Sequence, residues 1–198
     1  MRALRFAVTS LLLSLAAPRA RAQSAQAFSV QASALYSGLQ GSSYAGLSAG
    51  PGYEVQFRYT TTVGLSLGAG YQRTTHDITN ASGSASLAGP FIEPRYAFVI
   101  ASQERLFPYV ALRAAFLKQD ASDVSFHTTA SGISAGIGGG LLIPVGGHVN
   151  LDVGATFGIA RFGNFVVTDP ATGQRVGEGS TGTGSNYVLR AGLALGLF

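Results

Sequence analysis

The chain has 198 residues, of which 46% are hydrophobic and only 11% charged, against about 25% charged in an average soluble domain. That length suits one domain with a sizeable core and is too short for two ordinary ones, and so apolar a composition argues against disorder. The absence of cysteine excludes a disulfide framework and a thiolate metal site, and a formal charge of +4 spread over few charged side chains argues against a protein that tracks a nucleic-acid backbone.

The first element in chain order is an export signal. Arg2 and Arg5 precede an apolar stretch from Phe6 to Ala17, followed by Pro18 and the small-residue pattern Ala20-Arg21-Ala22. These three parts predict a cleavable secretory signal peptide over residues 1–22, cut after Ala22. The apolar run is about 12 residues, too short to cross a bilayer as a helix. Arg2, Arg5, Arg19 and Arg21 leave with the leader, so Gln23–Phe198 carries nine basic and nine acidic residues and is formally neutral. The basic balance belongs to the leader, and no nucleic-acid partner is implied.

The remainder alternates with period two, the signature of strands with chemically different faces. The first expected strand, Phe28 to Tyr36, sets Phe28, Val30, Ala32, Ala34 and Tyr36 against Ser29, Gln31 and Ser33. In the second, Tyr53, Val55, Phe57 and Tyr59 alternate with Glu54, Gln56 and Arg58. The third runs from Val63 to Gln72, and the fourth covers about Leu87 to Val99, with Ile92, Tyr96 and Phe98 opposite Glu93 and Arg95. The fifth, Phe107 to Leu117, sets Val110, Leu112, Ala114 and Phe116 against Tyr109, Ala111 and Arg113. The sixth, about Gly132 to Ile143, has Ser134, Gly136, Gly138 and Gly140 on its small face. The seventh, Val149 to Ile159, carries Asp152 on its polar face, and the eighth, Tyr187 to Gly196, carries Arg190. Short connections are expected at Thr60–Thr62, Ala101–Arg105 and Val145–His148. Long ones are expected at Ser37–Gly52, Thr74–Ser86, Lys118–Ser131 and Phe162–Asn186. Eight strands joined alternately by short and long connections predict an up-and-down barrel, with the termini and tight turns on the periplasmic side.

A lipocalin-like soluble barrel also has eight strands and would turn its apolar face inward. The composition of the two faces decides between them. One is built of Val, Leu, Ile, Phe and Tyr; the other is mainly Gly, Ser and Ala with sparse charges. A water-facing set of strands would carry far more Lys and Glu, and glycine offers water nothing. In a narrow lumen, small residues leave room for the few long side chains that cross it. The apolar face then meets lipid, and aromatics at strand ends, such as Tyr36, Tyr53, Tyr71, Phe98 and Tyr187, suit the two interfaces.

The segments Pro51-Gly52-Tyr53-Glu54-Val55-Gln56-Phe57-Arg58-Tyr59, Glu93-Pro94-Arg95-Tyr96, and Leu142-Ile143-Pro144 followed by Val149-Asn150-Leu151-Asp152-Val153-Gly154 resemble strand and hairpin patterns of one family. With the export signal and a last strand ending in Phe198, the chain resembles the small Gram-negative outer-membrane β-barrels, the OmpA/OmpX-type porin-like domains. The resemblance covers nearly all of Phe28 to Phe198. It implies an all-β, eight-stranded antiparallel up-and-down transmembrane barrel over residues 23–198 in the cell outer membrane. It also implies surroundings of outer-membrane lipid and lipopolysaccharide, a monomer, and handling by the insertion machinery through the C-terminal strand. In one respect the chain departs from the family. The residues two, four and six before Phe198 are Gly196, Ala194 and Gly192, while the apolar set is Leu197, Leu195 and Leu193, so either Phe198 lies beyond the last paired residue or a bulge shifts the register.

The candidate interior residues are Glu54, Arg58, Glu93, Arg95, Arg113, Asp152 and Arg190. Opposite charges confined in a narrow lumen can satisfy one another, which predicts a structural network that plugs the barrel; a gate for a narrow ion pathway is the alternative. A lipid A acyl hydrolase would need His near a Ser nucleophile and an acid. Ser125-Phe126-His127-Thr128-Thr129 with Ser131 is the place to look, and no acid is placed there. His76 is expected in or beside an outer loop and His148 in a periplasmic turn. Gly136-Ile137-Gly138-Gly139-Gly140 ends in Leu141 where a phosphate fingerprint needs glycine, and Asp120 and Asp123 are too few for a calcium loop. No catalytic residue, cofactor or metal site is expected. A surface ligand, if there is one, would meet the outer loops.

Overall fold

The computed structural model describes residues 27–41, 44, 46–79, 83–98, 106–122, 127–180 and 182–197. The expected leader over 1–22, the turn at Ala101–Arg105 and the terminal Phe198 lie outside the described residues. Among these are nine strands: β1 (Phe28–Gln40), β2 (Gly50–Thr60), β3 (Leu65–Asp77), β4 (Ser84–Ala97), β5 (Phe107–Ser122), β6 (His127–Gly146), β7 (Val149–Thr168), β8 (Arg175–Ser180) and β9 (Thr183–Gly196). Every pairing is antiparallel. Neighbours in sequence pair from β1 to β7, β9 pairs with both β7 and β1, and the sheet closes on itself.

The closed wall has eight staves. The eighth is made in two pieces, because β9 pairs with β7 from Val149 to Arg161 and β8 continues along β7 from Asn164 to Thr168. The expected loop Phe162–Asn186 is therefore largely a hairpin extension of the wall. Its turn is built by Asp169, whose carboxylate accepts the Ala171 N–H at 2.8 Å, and by Gly173, whose φ of +70° few other residues tolerate. That hydrogen bond holds the Asp169 carboxyl below its ordinary pKa. The other long connections are also shorter than expected: β1 runs on to Gln40, β3 to Asp77 and β5 to Ser122, while β6 already begins at His127. The cause is that ladder hydrogen bonds persist above the lipid, where the outward face no longer has to be apolar and the alternation fades.

The faces divide as the pattern requires. Outward-pointing Val55, Phe57, Leu193, Phe157 and Ile137 are 48 to 64% exposed, while Gln31, Glu54, Gln56, Glu93 and Asp152 on the opposite face are 0 to 1% exposed. At the end bearing the termini and tight turns, Phe28 packs on Phe57 and Tyr59, and Tyr96 meets Phe98 edge-on. Gly64 closes the β2–β3 turn with φ +83°. The β4–β5 ladder skips Gly89–Pro90 and Glu93–Pro94, where proline has no N–H to donate. The β9 register against β1 and β7 is unbroken to Gly196, with Leu193, Leu195 and Leu197 outward. No bulge shifts the last strand over its paired length.

The lumen departs from expectation in its outer half. It is apolar there: Leu39, Leu87, Phe91, Leu117 and Phe162 form a buried cluster with Tyr44, which lies between β1 and β2. Tyr44 meets Phe162 edge-on at 6.0 Å and donates its hydroxyl to the Gly182 carbonyl at 2.8 Å, and burial pushes its phenol pKa up. Packing these apolar side chains against one another removes their surface from water and closes much of this end.

Candidate functional site

Below the apolar cluster all seven predicted charges meet. Glu54 and Arg58 come from β2, Glu93 and Arg95 from β4, Arg113 from β5, Asp152 from β7 and Arg190 from β9. All are at most 7% exposed. Period-two geometry accounts for the convergence, because each sits on the small-residue face of its strand, and closure of the barrel turns those faces toward one axis.

Glu93 is the hub. Its Oε1 accepts from Arg58 Nη2 at 2.9 Å and Arg95 Nε at 2.6 Å, and its Oε2 from Arg113 Nη1 at 2.9 Å and Arg190 Nη1 at 2.6 Å. Asp152 forms a second centre. Oδ2 accepts from Arg95 Nη1 at 2.6 Å and Gln31 Nε2 at 2.7 Å, and Oδ1 from the Tyr109 hydroxyl at 2.6 Å. Glu54 Oε2 accepts from Arg113 Nη2 at 2.5 Å. Charge-assisted hydrogen bonds of this length are the strong ones, and in a dehydrated lumen they offset the cost of burying the ions.

Four uncharged polar residues in the network were not singled out from sequence. Gln31 and Tyr109 hold Asp152; Gln56 and Gln72 accept from Arg58 Nη2 at 2.8 Å and Arg113 Nη2 at 2.6 Å. Their inward parity was readable, but uncharged groups give no signal of what they will meet. Arg113 also lies over the Phe91 ring at 3.7 Å and Arg95 over the Tyr109 ring at 4.4 Å. The stave β6 supplies space instead of side chains: a Cβ on Gly140, or on Gly154 opposite it, would fall on the Tyr109 hydroxyl.

The histidines are placed apart from this network. His76 is buried at the outer end of β3, with Nδ1 2.9 Å from the Ser48 carbonyl and Nε2 2.9 Å from the Thr74 hydroxyl. The carbonyl can only accept, so Nδ1 donates and Nε2 receives the Thr74 proton. His127 Nε2 stands 4.0 Å from Asp120 Oδ1, an acid that sequence reading did not place there, and Lys118 Nζ lies 3.0 Å from the same oxygen. Ser125 and Phe126 lie outside the described residues. His148 sits in the β6–β7 turn as expected, and its carbonyl accepts the Gly196 N–H. Among the described residues no group of three or more His, Asp or Glu side chains is arranged to hold a metal ion.

Comparison with known proteins agrees with this architecture. The model of the outer membrane protein beta-barrel domain matches residues 7–194. Neisserial surface protein A superposes with a TM-score of 0.62 at 18% identity, covering 86% of this chain and 97% of that one. A major outer membrane protein of Thermus thermophilus gives 0.58 at 15% identity over 87% of this chain and all (100%) of its own. The attachment invasion locus protein Ail of Yersinia pestis gives 0.51 at 14% identity over 85% and 97%. At these identities the likeness is one of fold. No curated protein sequence matches the chain.

Proposed function

The chain belongs to the outer-membrane β-barrel domain family and resides in the Gram-negative outer membrane, and from that premise we propose that it is a non-catalytic envelope protein with a plugged lumen that acts through its outer surface. One observation carries this reading: seven charged side chains from five strands pair with one another across the lumen, with the apolar Tyr44–Phe162 cluster stacked above them. A conducting pore needs water along its axis, and the buried ion pairs with the apolar cluster beyond them support a closed one. The outer end offers a surface instead, since β6, β7 and β8 extend together as a three-stranded flap whose last strand pairs on one side only among the described residues. The Yersinia protein is known in complex with the heparin analogue sucrose octasulfate; a ligand held by the outer loops is the corresponding role proposed here.

Planar-bilayer recording tests the plug. Wild type should give no large, stable conductance, while Arg113→Ala, which removes the hydrogen bond to Glu54 and one of the two donors to Glu93 Oε2, should give flickering current. Large steady currents in wild type would refute the plug. A lipid A deacylation assay on purified protein tests the non-catalytic part. The Lys118–Asp120–His127 group favours inactivity, because its side chains are exposed or partly exposed and Asp120 already faces a lysine. Release of acyl chains abolished by His127→Ala would overturn it.

A further inference from the structure

Below the charge network the lumen opens toward the end that carries the β2–β3 and β6–β7 turns, the periplasmic end in barrels of this topology. There it forms an open-mouthed vestibule with a cavity volume of about 40 Å³. Among the described residues its lining includes two arginines, Arg58 and Arg95, and no carboxylate; Ser29, Thr60, Ser66 and Asn150 supply neutral hydrogen-bonding groups around them.

Two features make these arginines unlike ordinary members of a salt-bridge network. The first is surplus charge. Four guanidinium groups face three carboxylates, so the network keeps one positive charge even with every pair formed. The second is unused donors. Each of the four guanidinium groups keeps one buried nitrogen without a hydrogen-bond partner (Arg58 Nε, Arg95 Nη2, Arg113 Nε and Arg190 Nε), and of these arginines Arg58, 4% exposed, and Arg95, 3% exposed, line the vestibule. Both oxygens of Glu93 and both of Asp152 are already engaged by other donors, and none of them accepts from Arg95 Nη2 or Arg58 Nε. Glu54 Oε1 is also unpartnered but is not part of the vestibule lining. A buried guanidinium donor left without an acceptor is costly, and an oxyanion is the chemistry that matches it in both charge and geometry.

We propose that the vestibule is a binding site for one small oxyanion, of the phosphate, sulfate or carboxylate class, entering from the periplasm and held between Arg58 and Arg95. The anion offsets the surplus positive charge of the network, and the neutral hydroxyl and amide groups of the rim serve as further donors to its oxygens. This goes beyond the surface role above and does not depend on it, since the site lies at the opposite end of the barrel.

The test is a titration of the full chain, refolded in detergent micelles, with inorganic phosphate at constant ionic strength, following the arginine Nε–H signals by NMR. The Arg58 and Arg95 signals should shift and saturate together, while those of outward-facing Arg73 and Arg161 should not. Asn150→Asp places a carboxylate in the vestibule without touching the network, and should weaken phosphate binding about tenfold, as expected for one like charge nearby in a partly screened site. Ser29→Asp at the rim serves the same purpose if Asn150→Asp does not give the heat-modifiable folded band. Shifts that are linear in phosphate and shared with Arg73 and Arg161 would overturn the proposal, as would unchanged affinity in a folded acidic variant.

Discussion

Replacing Glu93 with Gln should be the most damaging isosteric change in the lumen. The side chain keeps its volume, so packing is undisturbed, but the hub of four guanidinium contacts at 2.6 to 2.9 Å loses its charge. Gln also turns an amide N–H₂ toward donors that need acceptors. The network passes from four positive and three negative groups to four and two, doubling its uncompensated charge in a dehydrated space. Removing one partner of a buried ion pair typically costs about 3–5 kcal/mol, and the upper half of that range applies here because four arginines share the loss. With a urea slope of about 1–3 kcal/mol per molar, the unfolding midpoint in lipid vesicles should fall by roughly 2 M. The midpoint is read from the heat-modifiable band and from tyrosine fluorescence. Adding Arg113→Met restores the original charge excess and should recover part of the loss. A Glu93→Gln barrel destabilised by less than about 1 kcal/mol, the range of solvated pairs, would refute the dehydrated hub, as would a double variant weaker than both singles.

Three further outcomes follow from other parts of the wall. Val55→Arg and Val153→Arg each place a charge on the lipid face and should cost about 2–4 kcal/mol of barrel stability in vesicles, whereas Lys118→Gln above the membrane should change it little. Gly140→Ala should cost about 1–3 kcal/mol by overpacking, because its Cβ would meet the Tyr109 hydroxyl and the Val153 carbonyl; Gly146→Ala, with open space around it, should be neutral by the same unfolding assay. Phe162→Ala should remove the centre of the outer cap and cost about 3–5 kcal/mol, with faster amide exchange across β6 and β7 near their outer ends.

The faces of the strands were legible because a two-residue period leaves each side chain one of two destinations. That is why Glu54, Arg58, Glu93, Arg95, Arg113, Asp152 and Arg190 could be assigned to one interior before any contact was known. A charge on the face opposite Val, Phe and Leu has no other place to go in a membrane barrel. Their partners were less legible, since which interior residues meet is set by the stagger of the strands, and Gln31, Gln72 and Tyr109 have no local mark of it. The apolar outer lumen was hidden for a related reason. Beyond Arg113 the inward positions of β5 are Ala115 and Leu117, so both faces turn apolar and the contrast that identified the interior is lost. Strand ends were misplaced where alternation stops before pairing does, as at Lys118 to Ser122. Arg-Val-Gly-Glu-Gly-Ser in β8 reads as a turn-rich linker and is a strand because β7 continues far enough to pair with it.

The spacing of the hub along the chain bears on how the protein enters its membrane. Arg190 is 97 residues from Glu93 and Arg113 is 59 from Glu54, so the contacts that neutralise the lumen are supplied by the earliest and latest strands alike. A partial sheet lacking β9 would leave Glu93 without its Arg190 contact and open the remaining charged groups to their surroundings along an unpaired edge. Hydrocarbon penalises each such charge by several kcal/mol, so hairpins cannot cross one at a time without that cost. On this ground crossing and closure are expected to be coupled, because the β1–β9 seam is what brings Arg190 to Glu93. The same ion cluster that spans the lumen thereby ties the electrostatics of each hairpin to the closure of the whole wall.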